Sequence, residues 1–309
     1  MEPDPPNAPN EAPQNAADVY LGRLAPRSRA RMVGILDNVA RLLGAKDSVT
    51  CDWAALRYEK TQRLRTALAR RYAPATANLH IAAVKGALQE AWRLGLMTAE
   101  EYHRAADLKT VRGQRLPKGR ALTPEELAAL FQVCRRDCRP AGARDLALLV
   151  VLYGGGLRRS EAVALDVRDY EARTGGLTVQ RGKGNKARIV YVESGRDQVG
   201  NWLDIRGRQP GPLFTAMDRA GQVTARRLSD SAIRVILLHR AAEAGVAHFS
   251  PHDMRRTFIG NLLDAGADIS TVQQLAGHAN VQTTAKYDRR GEATKRKVAR
   301  LLEMPGAEP

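Results

Sequence analysis

The segment from Ser250 to Thr257 places a histidine and an arginine three residues apart at the start of a predicted helix. Ser250 and Pro251 are typical of the first positions of a helix, and His252 and Arg255 follow directly. Residues three apart lie on one face of a helix, so the imidazole and the guanidinium can reach one common anion. This pair therefore predicts a site for a phosphate group.

Three further segments in the second half of the chain carry charged or imidazole side chains. Arg158 and Arg159 lie in the run GLRRSE, and Glu161 follows Arg158 by one helical turn, close enough to hold its guanidinium in place. The other segments are GKGNKAR at 182–188 and AGHANVQTTAKY at 276–287. A phosphodiester under attack gathers negative charge on its oxygens, and fixed cations and hydrogen-bond donors of these types would stabilise that charge.

These segments, in this order, resemble the catalytic domain of the tyrosine recombinase family, which includes phage integrases and Xer-type recombinases. The resemblance covers nearly all of residues 18–303, and the last histidine precedes the tyrosine by nine residues, as it does in Xer-like members. Within HDMRR, Met254 and Arg256 are variations of kinds common in the family. The resemblance implies a site-specific DNA recombinase that cleaves and rejoins strands through a 3′-phosphotyrosine intermediate, for integration, excision or resolution.

The resemblance also implies a role for each candidate residue. Tyr287 would be the nucleophile, and Lys183 would donate a proton to the leaving 5′ oxygen. The scissile phosphate would be held by side chains from three segments: Arg158, His252, Arg255 and His278. Glu161 would support Arg158, and further DNA contacts are expected from Arg159, Lys186, Arg188 and Arg256. This chemistry requires neither a metal ion nor a nucleotide cofactor.

Two other functions share part of this pattern. A type IB topoisomerase has a similar set of Arg, Lys, His and Tyr residues but relaxes supercoils without a partner site. The order of the domains and the LAGH segment at 275–278 favour a recombinase. A protein derived from a recombinase could also keep its DNA clamp, lose catalysis and act as an accessory factor. Candidates at every catalytic position favour an enzyme.

The charge balance supports a polyanionic partner. The 309 residues include 49 Lys and Arg against 33 Asp and Glu, a formal net charge of +16. Residues 1–117 carry 18 basic and 12 acidic side chains, so this part and the remainder are both positive. We expect a two-domain clamp on double-stranded DNA recombination sites. The family resemblance implies a tetramer on DNA, formed with itself or with a paralogous recombinase.

Hydrophobic periodicity predicts a small helical bundle in the first hundred residues. The predicted helices are Pro26–Leu43, Trp53–Arg71, Pro74–Leu94 and a shorter one around Glu100–Leu108. The Pro- and Asn-rich residues 1–17 have no such periodicity and are expected to be disordered. By resemblance, residues 18–109 form a helical core-binding domain, and the basic residues 110–120 form a linker with a boundary near Pro117.

Residues 121–309 are predicted to form an α+β catalytic domain with a C-terminal tail, so that the whole chain is mainly α with a small β-sheet. Thr123, Pro124 and Glu126 form a capping box that begins a helix through Val133. An apolar helix is expected at 145–153. A hairpin is expected from strands 177–180 and 188–192 around the turn 182–185, and mostly helices follow from Ser229. The tail, 292–304, would dock either on a neighbouring subunit or on its own domain.

Other classes of protein fit the sequence poorly. No apolar run approaches the roughly 20 residues needed to span a bilayer, and the N-terminus is acidic and proline-rich where a signal peptide is basic and then apolar. Of the cysteines, only Cys134 and Cys138 lie close together in the sequence, and no second pair of Cys or His residues stands nearby to complete a zinc site. We expect a cytoplasmic protein with no membrane partner.

Overall fold

The computed structural model describes residues 15–113, 119–180 and 187–288. The chain divides into two compact units, residues 1–117 and residues 118–309. Helices dominate both units, and the strands form two small sheets within the second unit. The predicted fold class, mainly α with a small β-sheet, is therefore confirmed.

The described part of the first unit is a bundle of short helices. They are α1 (Ala16–Gly22), α2 (Pro26–Leu42), α3 (Tyr58–Arg71), α4 (Pro74–Arg93) and α5 (Ala99–Ala106). Helix α4 packs against the other four. Its apolar face, with Ile81, Val84 and Leu88, is almost completely buried, which is the packing that its spacing of three and four residues predicts.

Two predictions for this unit are wrong in detail. Ala16 and Ala17, assigned to the disordered segment, lie in α1 and are buried; the remaining residues of that segment, apart from Asn15, are outside the described residues. The helix expected from Trp53 begins only at Tyr58. Trp53 is buried and its indole N–H donates to the carbonyl oxygen of Ser48 at 2.9 Å, so a fixed turn replaces the first helical turn.

The second unit begins with the predicted capping box. The Thr123 side chain accepts from the Glu126 backbone N–H at 3.2 Å, and the Glu126 carboxylate accepts from the Thr123 backbone N–H at 2.9 Å. The helices of this unit are α6 (Pro124–Arg136), α7 (Pro140–Leu149), α8 (Arg159–Ala164), α9 (Arg196–Arg206), α10 (Asp230–Glu243), α11 (Pro251–Asp264), α12 (Ile269–Ala276) and α13 (Val281–Ala285). The helical region expected from Ser229 onward is confirmed as far as Ala285.

The strands of the second unit form two antiparallel sheets. One contains β1 (Tyr170–Glu171), β2 (Gly176–Val179) and β3 (Arg188–Tyr191) in that order, and the other contains β4 (Thr215–Met217) and β5 (Val223–Arg227). Thr178 pairs with Ile189, so the predicted pairing of β2 with β3 is confirmed. The predicted turn at 182–185 lies outside the described residues. Strands β1, β4 and β5 and helix α9 were not predicted from the sequence.

The apolar helix predicted from residue 145 begins five residues earlier, at Pro140, which is a favourable first helical residue. Its α-helical part ends at Leu149 and continues as a single widened π turn over Val150–Gly154. The following Gly156 has a φ of +60°, a left-handed conformation that favours glycine. This change of direction brings the chain to the start of α8.

Two clusters of buried apolar residues underlie the second unit. The larger one surrounds α7 and includes Trp202 and Phe214. The smaller one lies between α11 and α12 and contains Phe258, Ile259, Leu263, Val272 and Ala276, with Tyr287 packed against it. The smaller cluster thus supports the segment that carries the candidate nucleophile.

Candidate active site

Arg158 is held at the start of α8 by Glu161. Its backbone N–H donates to Glu161 Oε2 at 2.9 Å, and its Nη1 donates to Glu161 Oε1 at 2.6 Å. The Glu161 side chain is only 3% exposed, whereas that of Arg158 is 26% exposed. Glu161 therefore orients Arg158 while part of the guanidinium stays accessible to a ligand.

Arg255 is a buried cation that donates to backbone carbonyl oxygens. It is 1% exposed, and its Nη1 donates to the carbonyl oxygen of Gly156 at 2.6 Å while Nη2 donates to that of Ala276. Within the described residues, no carboxylate oxygen lies within ion-pair distance of this guanidinium. Burying a cation away from water is unfavourable unless negative charge lies close to it, so this guanidinium favours the binding of an anionic ligand.

Arginines from three different elements meet at the C-terminal end of α12. Consecutive carbonyl oxygens of Leu275, Ala276 and Gly277 accept from Arg188 Nε, Arg255 Nη2 and Arg158 Nη2, respectively. These last carbonyls of a helix have no partner within the helix and carry the negative end of its dipole. The end of α12 therefore gathers the three guanidinium groups into one cluster.

His278 follows α12 directly and is fixed by a buried threonine. Its Nδ1 lies 2.9 Å from Thr284 Oγ1, and its backbone N–H donates to the carbonyl oxygen of Gln273 at 3.1 Å. Gly277, with a φ of +61°, makes the turn that ends α12. When the Thr284 hydroxyl donates to Nδ1, the other ring nitrogen carries the proton and can donate it to a phosphate oxygen.

Tyr287 lies between two imidazole groups. Its phenolic oxygen is 3.1 Å from His252 Nε2, and its ring is stacked on that of His278 with the centroids 6.2 Å apart. The guanidinium of Arg256 lies over the Tyr287 ring, 5.3 Å from its centroid. His252 can therefore exchange a proton with the hydroxyl, while the other contacts fix the ring.

The start of α11 positions His252. The Asp253 carboxylate accepts from the backbone N–H of Ser250 at 2.9 Å and from its hydroxyl at 2.8 Å. It also accepts from the backbone N–H of Arg120 at 3.1 Å, at the beginning of the second unit. These bonds fix the first turn of the helix, from which His252 projects toward Tyr287.

Burial, together with the concentration of positive charge, lowers the pKa values of three basic groups in the site. Burial, and then the charge of Arg158, lowers the pKa of Arg255 to about 9. Burial, and then Arg255 and Arg158, lowers the pKa of His278 to about 4. Burial, and then Arg255 and Arg256, also lowers the pKa of His252. Near pH 7 the two imidazoles are neutral, so one can donate and the other can accept a proton.

The Glu161 carboxyl is the acidic group of this cluster. Burial by itself raises its pKa, but hydrogen bonds from Arg188 and Arg158 outweigh that effect and hold the pKa below its ordinary value. The carboxylate therefore stays ionised and balances part of the positive charge.

The structure brings most of the candidate residues into one place. Five of the six proposed catalytic side chains are linked directly or through the end of α12: Arg158, His252, Arg255, His278 and Tyr287. The sixth, Lys183, and the expected DNA contact Lys186 lie outside the described residues. Arg256 is at the site, over Tyr287.

Two expected DNA contacts have partners within the protein. Arg159 donates to Asp230 Oδ1 at 2.9 Å and also approaches Oδ2 at 2.8 Å, which ties the start of α8 to the start of α10. Arg188 is directed to Glu161 and to α12, and its side chain is only 11% exposed. The positions of these arginines in the sequence did not reveal either partner.

Two further residues, which were not predicted from the sequence, shape the site. Thr284 is fully buried beside His278, and its only sequence signal is its place in TTAKY, three residues before the tyrosine. Gly156 faces the Phe258 ring so closely that a Cβ atom would lie 2.3 Å from it. Its only sequence signal is its position just before Leu157 and Arg158, where the chain must turn into α8.

Among the described residues, no three His, Cys, Asp or Glu side chains form a group that could hold a metal ion. In the same part of the chain, no helix is long and apolar enough to cross a membrane.

Comparison with known proteins gives consistent matches. The family model described as "Phage integrase family" matches residues 120–293. Tyrosine recombinase XerC of Serratia marcescens is 32% identical over 272 residues, which cover 86% of this chain and 84% of that protein. Tyrosine recombinase XerC of Pelobacter propionicus is 36% identical over 210 residues, covering 67% and 66%.

Solved structures share the fold at lower identity. The Tn1549 transposon integrase in complex with transposon right end DNA superposes with a TM-score of 0.65 at 16% identity, covering 93% of this chain and 99% of that one. A lambda integrase tetramer bound to a Holliday junction gives 0.64 at 14% identity, covering 95% and 78%.

Proposed function

This chain belongs to the phage integrase family and is a tyrosine-type site-specific DNA recombinase, and we propose that Tyr287 is the nucleophile that cleaves and rejoins its DNA. The observation that carries this assignment is the 3.1 Å contact between the Tyr287 hydroxyl and His252 Nε2. Close to it lies Arg255, a buried cation that forms no ion pair with a carboxylate in the described part of the chain. A phenol beside a neutral imidazole can lose its proton as it attacks.

The proposed step balances as a transesterification. The Tyr287 oxygen attacks the phosphorus of the scissile phosphodiester, its proton passes to His252, and the bond from phosphorus to the 5′ oxygen breaks. The products are a 3′-phosphotyrosine and a 5′ hydroxyl, whose proton we assign to Lys183 on the basis of the family resemblance. Rejoining is the reverse attack by a 5′ hydroxyl, so the bond energy is conserved.

The arginine cluster would stabilise the charge that develops during this step. Arg255 and Arg158 present positive charge at one point, and His278 can add a neutral N–H donor. Such preorganised groups are worth most where charge appears in the transition state, and removing one donor costs about 10²–10³ in rate. We assign Glu161 to the orientation of Arg158, and Arg256 to the Tyr287 ring or to DNA.

We propose that the substrate is double-stranded DNA with two recombination sites, bound by a tetramer in the cytoplasm. The structurally similar lambda integrase was solved as a tetramer bound to a Holliday junction. In a tetramer of this chain, the active site of each subunit would cut one of the four DNA strands. Residues 18–109 would be the core-binding domain and residues 121–309 the catalytic domain, joined by the linker 110–120 as a clamp. A paralogous recombinase would be an alternative partner to a second copy.

The experiment is a covalent-trapping assay on nicked suicide duplexes drawn from the DNA neighbourhood of the gene. Wild-type protein, Tyr287→Phe and the control Tyr191→Phe, an exposed tyrosine on β3, would be compared on denaturing gels. We expect a 3′-linked adduct from the wild type and the control but not from Tyr287→Phe. An adduct from Tyr287→Phe would refute the nucleophile, and specific binding without any adduct would favour a catalytically silent accessory protein.

A further inference from the structure

Arg188 bridges two parts of the active site that are far apart in sequence. Its Nη1 and Nη2 donate to the two carboxylate oxygens of Glu161 at 3.1 and 2.7 Å, and its Nε donates to the carbonyl oxygen of Leu275 at 2.9 Å. This is a bidentate ion pair, the strongest geometry that an arginine and a carboxylate can adopt. Every nitrogen of the guanidinium therefore has a partner within the protein.

We propose that Arg188 is a positioning residue for the recombination reaction and does not contact DNA directly. It acts on Arg158 through their shared carboxylate, and on His278 through the end of α12. This inference rests on the proposed function, because it assigns to Arg158 and His278 the binding of the scissile phosphate.

The first effect of Arg188 is on charge. Glu161 paired with Arg158 alone would form a nearly neutral ion pair, in which the carboxylate competes with the phosphate for the same guanidinium. With Arg188 bound to the same carboxylate, the three side chains carry a net charge of one positive unit. Glu161 can then orient Arg158 without cancelling its attraction for the negative charge that develops on the phosphate during cleavage.

The second effect is on geometry. The Leu275 carbonyl is the first of the three at the end of α12, and the next two accept from Arg255 and Arg158. His278 is the next residue in the chain after these three, so their positions fix the point from which its side chain extends. Gly277 packs so closely on Arg188 that a Cβ atom would lie 2.9 Å from Nη1. Loss of the guanidinium would therefore leave a carbonyl without its partner and a void beneath the turn that carries His278.

The alternative is that Arg188 binds a DNA phosphate directly, and salt dependence separates the two roles. Each phosphate contact that is lost reduces the slope of log K against log salt by about 0.9 for duplex DNA. A residue that acts through Glu161 leaves that slope unchanged and lowers the rate of the chemical step.

The test uses single-turnover cleavage at saturating protein and DNA affinity over a salt series. The variants are Arg188→Met, Arg188→Lys, Glu161→Gln and the double variant Arg188→Met/Glu161→Gln. Arg208→Met is the matched control, because Arg208 forms an exposed ion pair with Asp204 on α9 and has no part in the site.

We expect Arg188→Met to cleave about 10- to 100-fold more slowly, with the affinity for DNA and its salt slope close to those of the wild type. The double variant should cleave faster than Arg188→Met, because a neutral residue 161 no longer competes for Arg158. This recovery would not occur if Arg188 contributed only packing. Arg188→Lys keeps the charge, so its cleavage rate should lie between those of the wild type and Arg188→Met. This variant also tests the inference if Arg188→Met is unstable.

An unchanged cleavage rate in Arg188→Met would overturn the inference, as would a salt slope reduced by about one unit. A double variant slower than both single variants would also overturn it. These outcomes are distinct from failure of the proposed function, in which the wild-type protein itself forms no adduct through Tyr287.

Discussion

His252 Nε2 and the Tyr287 hydroxyl oxygen are 3.1 Å apart, although 35 residues separate them in the chain. The contact joins the first turn of α11 to the segment after α13. It places a proton acceptor of lowered pKa directly at the oxygen of the proposed nucleophile.

Cleavage should decline in acid as His252 becomes protonated. Burial and the nearby arginines hold the pKa of His252 below its ordinary value of 6.5. The imidazole is therefore neutral near pH 7 and can take the proton from Tyr287, whereas in more acidic solution it is already protonated and cannot. At subsaturating DNA the rate should be flat near pH 7 and fall at lower pH. His252→Gln should be about 10²- to 10⁴-fold slower and should not show this decline.

His239→Gln is the control for this variant, since His239 is exposed on α10. It should keep both the rate and the pH profile of the wild type. A wild-type acid decline that persists in His252→Gln would assign the titration to another group.

His278 should make the fold less stable in acid. Its pKa falls from 6.5 in the unfolded chain to about 4 in the fold, so the unfolded chain binds more protons in this interval. The free energy of unfolding is therefore highest, as far as His278 is concerned, above pH 6.5, and it decreases as the pH falls toward 4. We expect a loss on the order of 2 kcal/mol, allowing for partial solvent screening.

The measurement is the free energy of unfolding by urea at several pH values. In His278→Gln, which keeps a polar side chain near Thr284, the decline between pH 6.5 and 4 should be shallower than in the wild type. Equal slopes for the two proteins would contradict the assignment.

Thr284 should affect cleavage through His278. Thr284→Val has nearly the same shape but leaves Nδ1 without its partner at 2.9 Å, so the imidazole can adopt the wrong tautomer or rotate. We expect cleavage to slow by about 10- to 100-fold, with DNA affinity retained. Thr284→Ser should recover much of the rate. Thr283→Val, at the exposed neighbouring position, is the matched control, and an equal loss there would show that the effect is not specific.

Gly156→Ala should destabilise the second unit. The new Cβ atom would lie 2.3 Å from the Phe258 ring at a φ of +60°, so overpacking and backbone strain add to about 2–4 kcal/mol. Chemical denaturation measures this loss. Phe258→Leu in the same chain should recover part of it by removing the clash.

Gly200→Ala is the control for Gly156→Ala, and it should change the free energy of unfolding in the opposite direction. Gly200 lies within α9 with nothing within 4 Å of the added atom, so the free energy of unfolding should rise by about 0.5–1 kcal/mol. Equal effects at the two glycines would contradict the role given to Phe258.

Several elements were predictable because their signals are local. The capping box at Thr123, Pro74 at the start of α4 and the pairing of β2 with β3 depend on a few adjacent residues, and the structure contains all three. The start of α3 was not predictable in this way. Trp53 fits the helical spacing, but burial and a hydrogen bond to Ser48 fix it in a turn.

The sequence by itself determined the class of protein and the residue types of its site, because an ordered set of motifs and a helical period are properties of the chain alone. It placed His252 and Arg255 on one helical face. Only the tertiary structure decided which side chains pair: that Arg188 shares Glu161 with Arg158, and that Thr284 fixes His278. These contacts join separate elements, so they depend on how helices and strands pack, which no local pattern specifies.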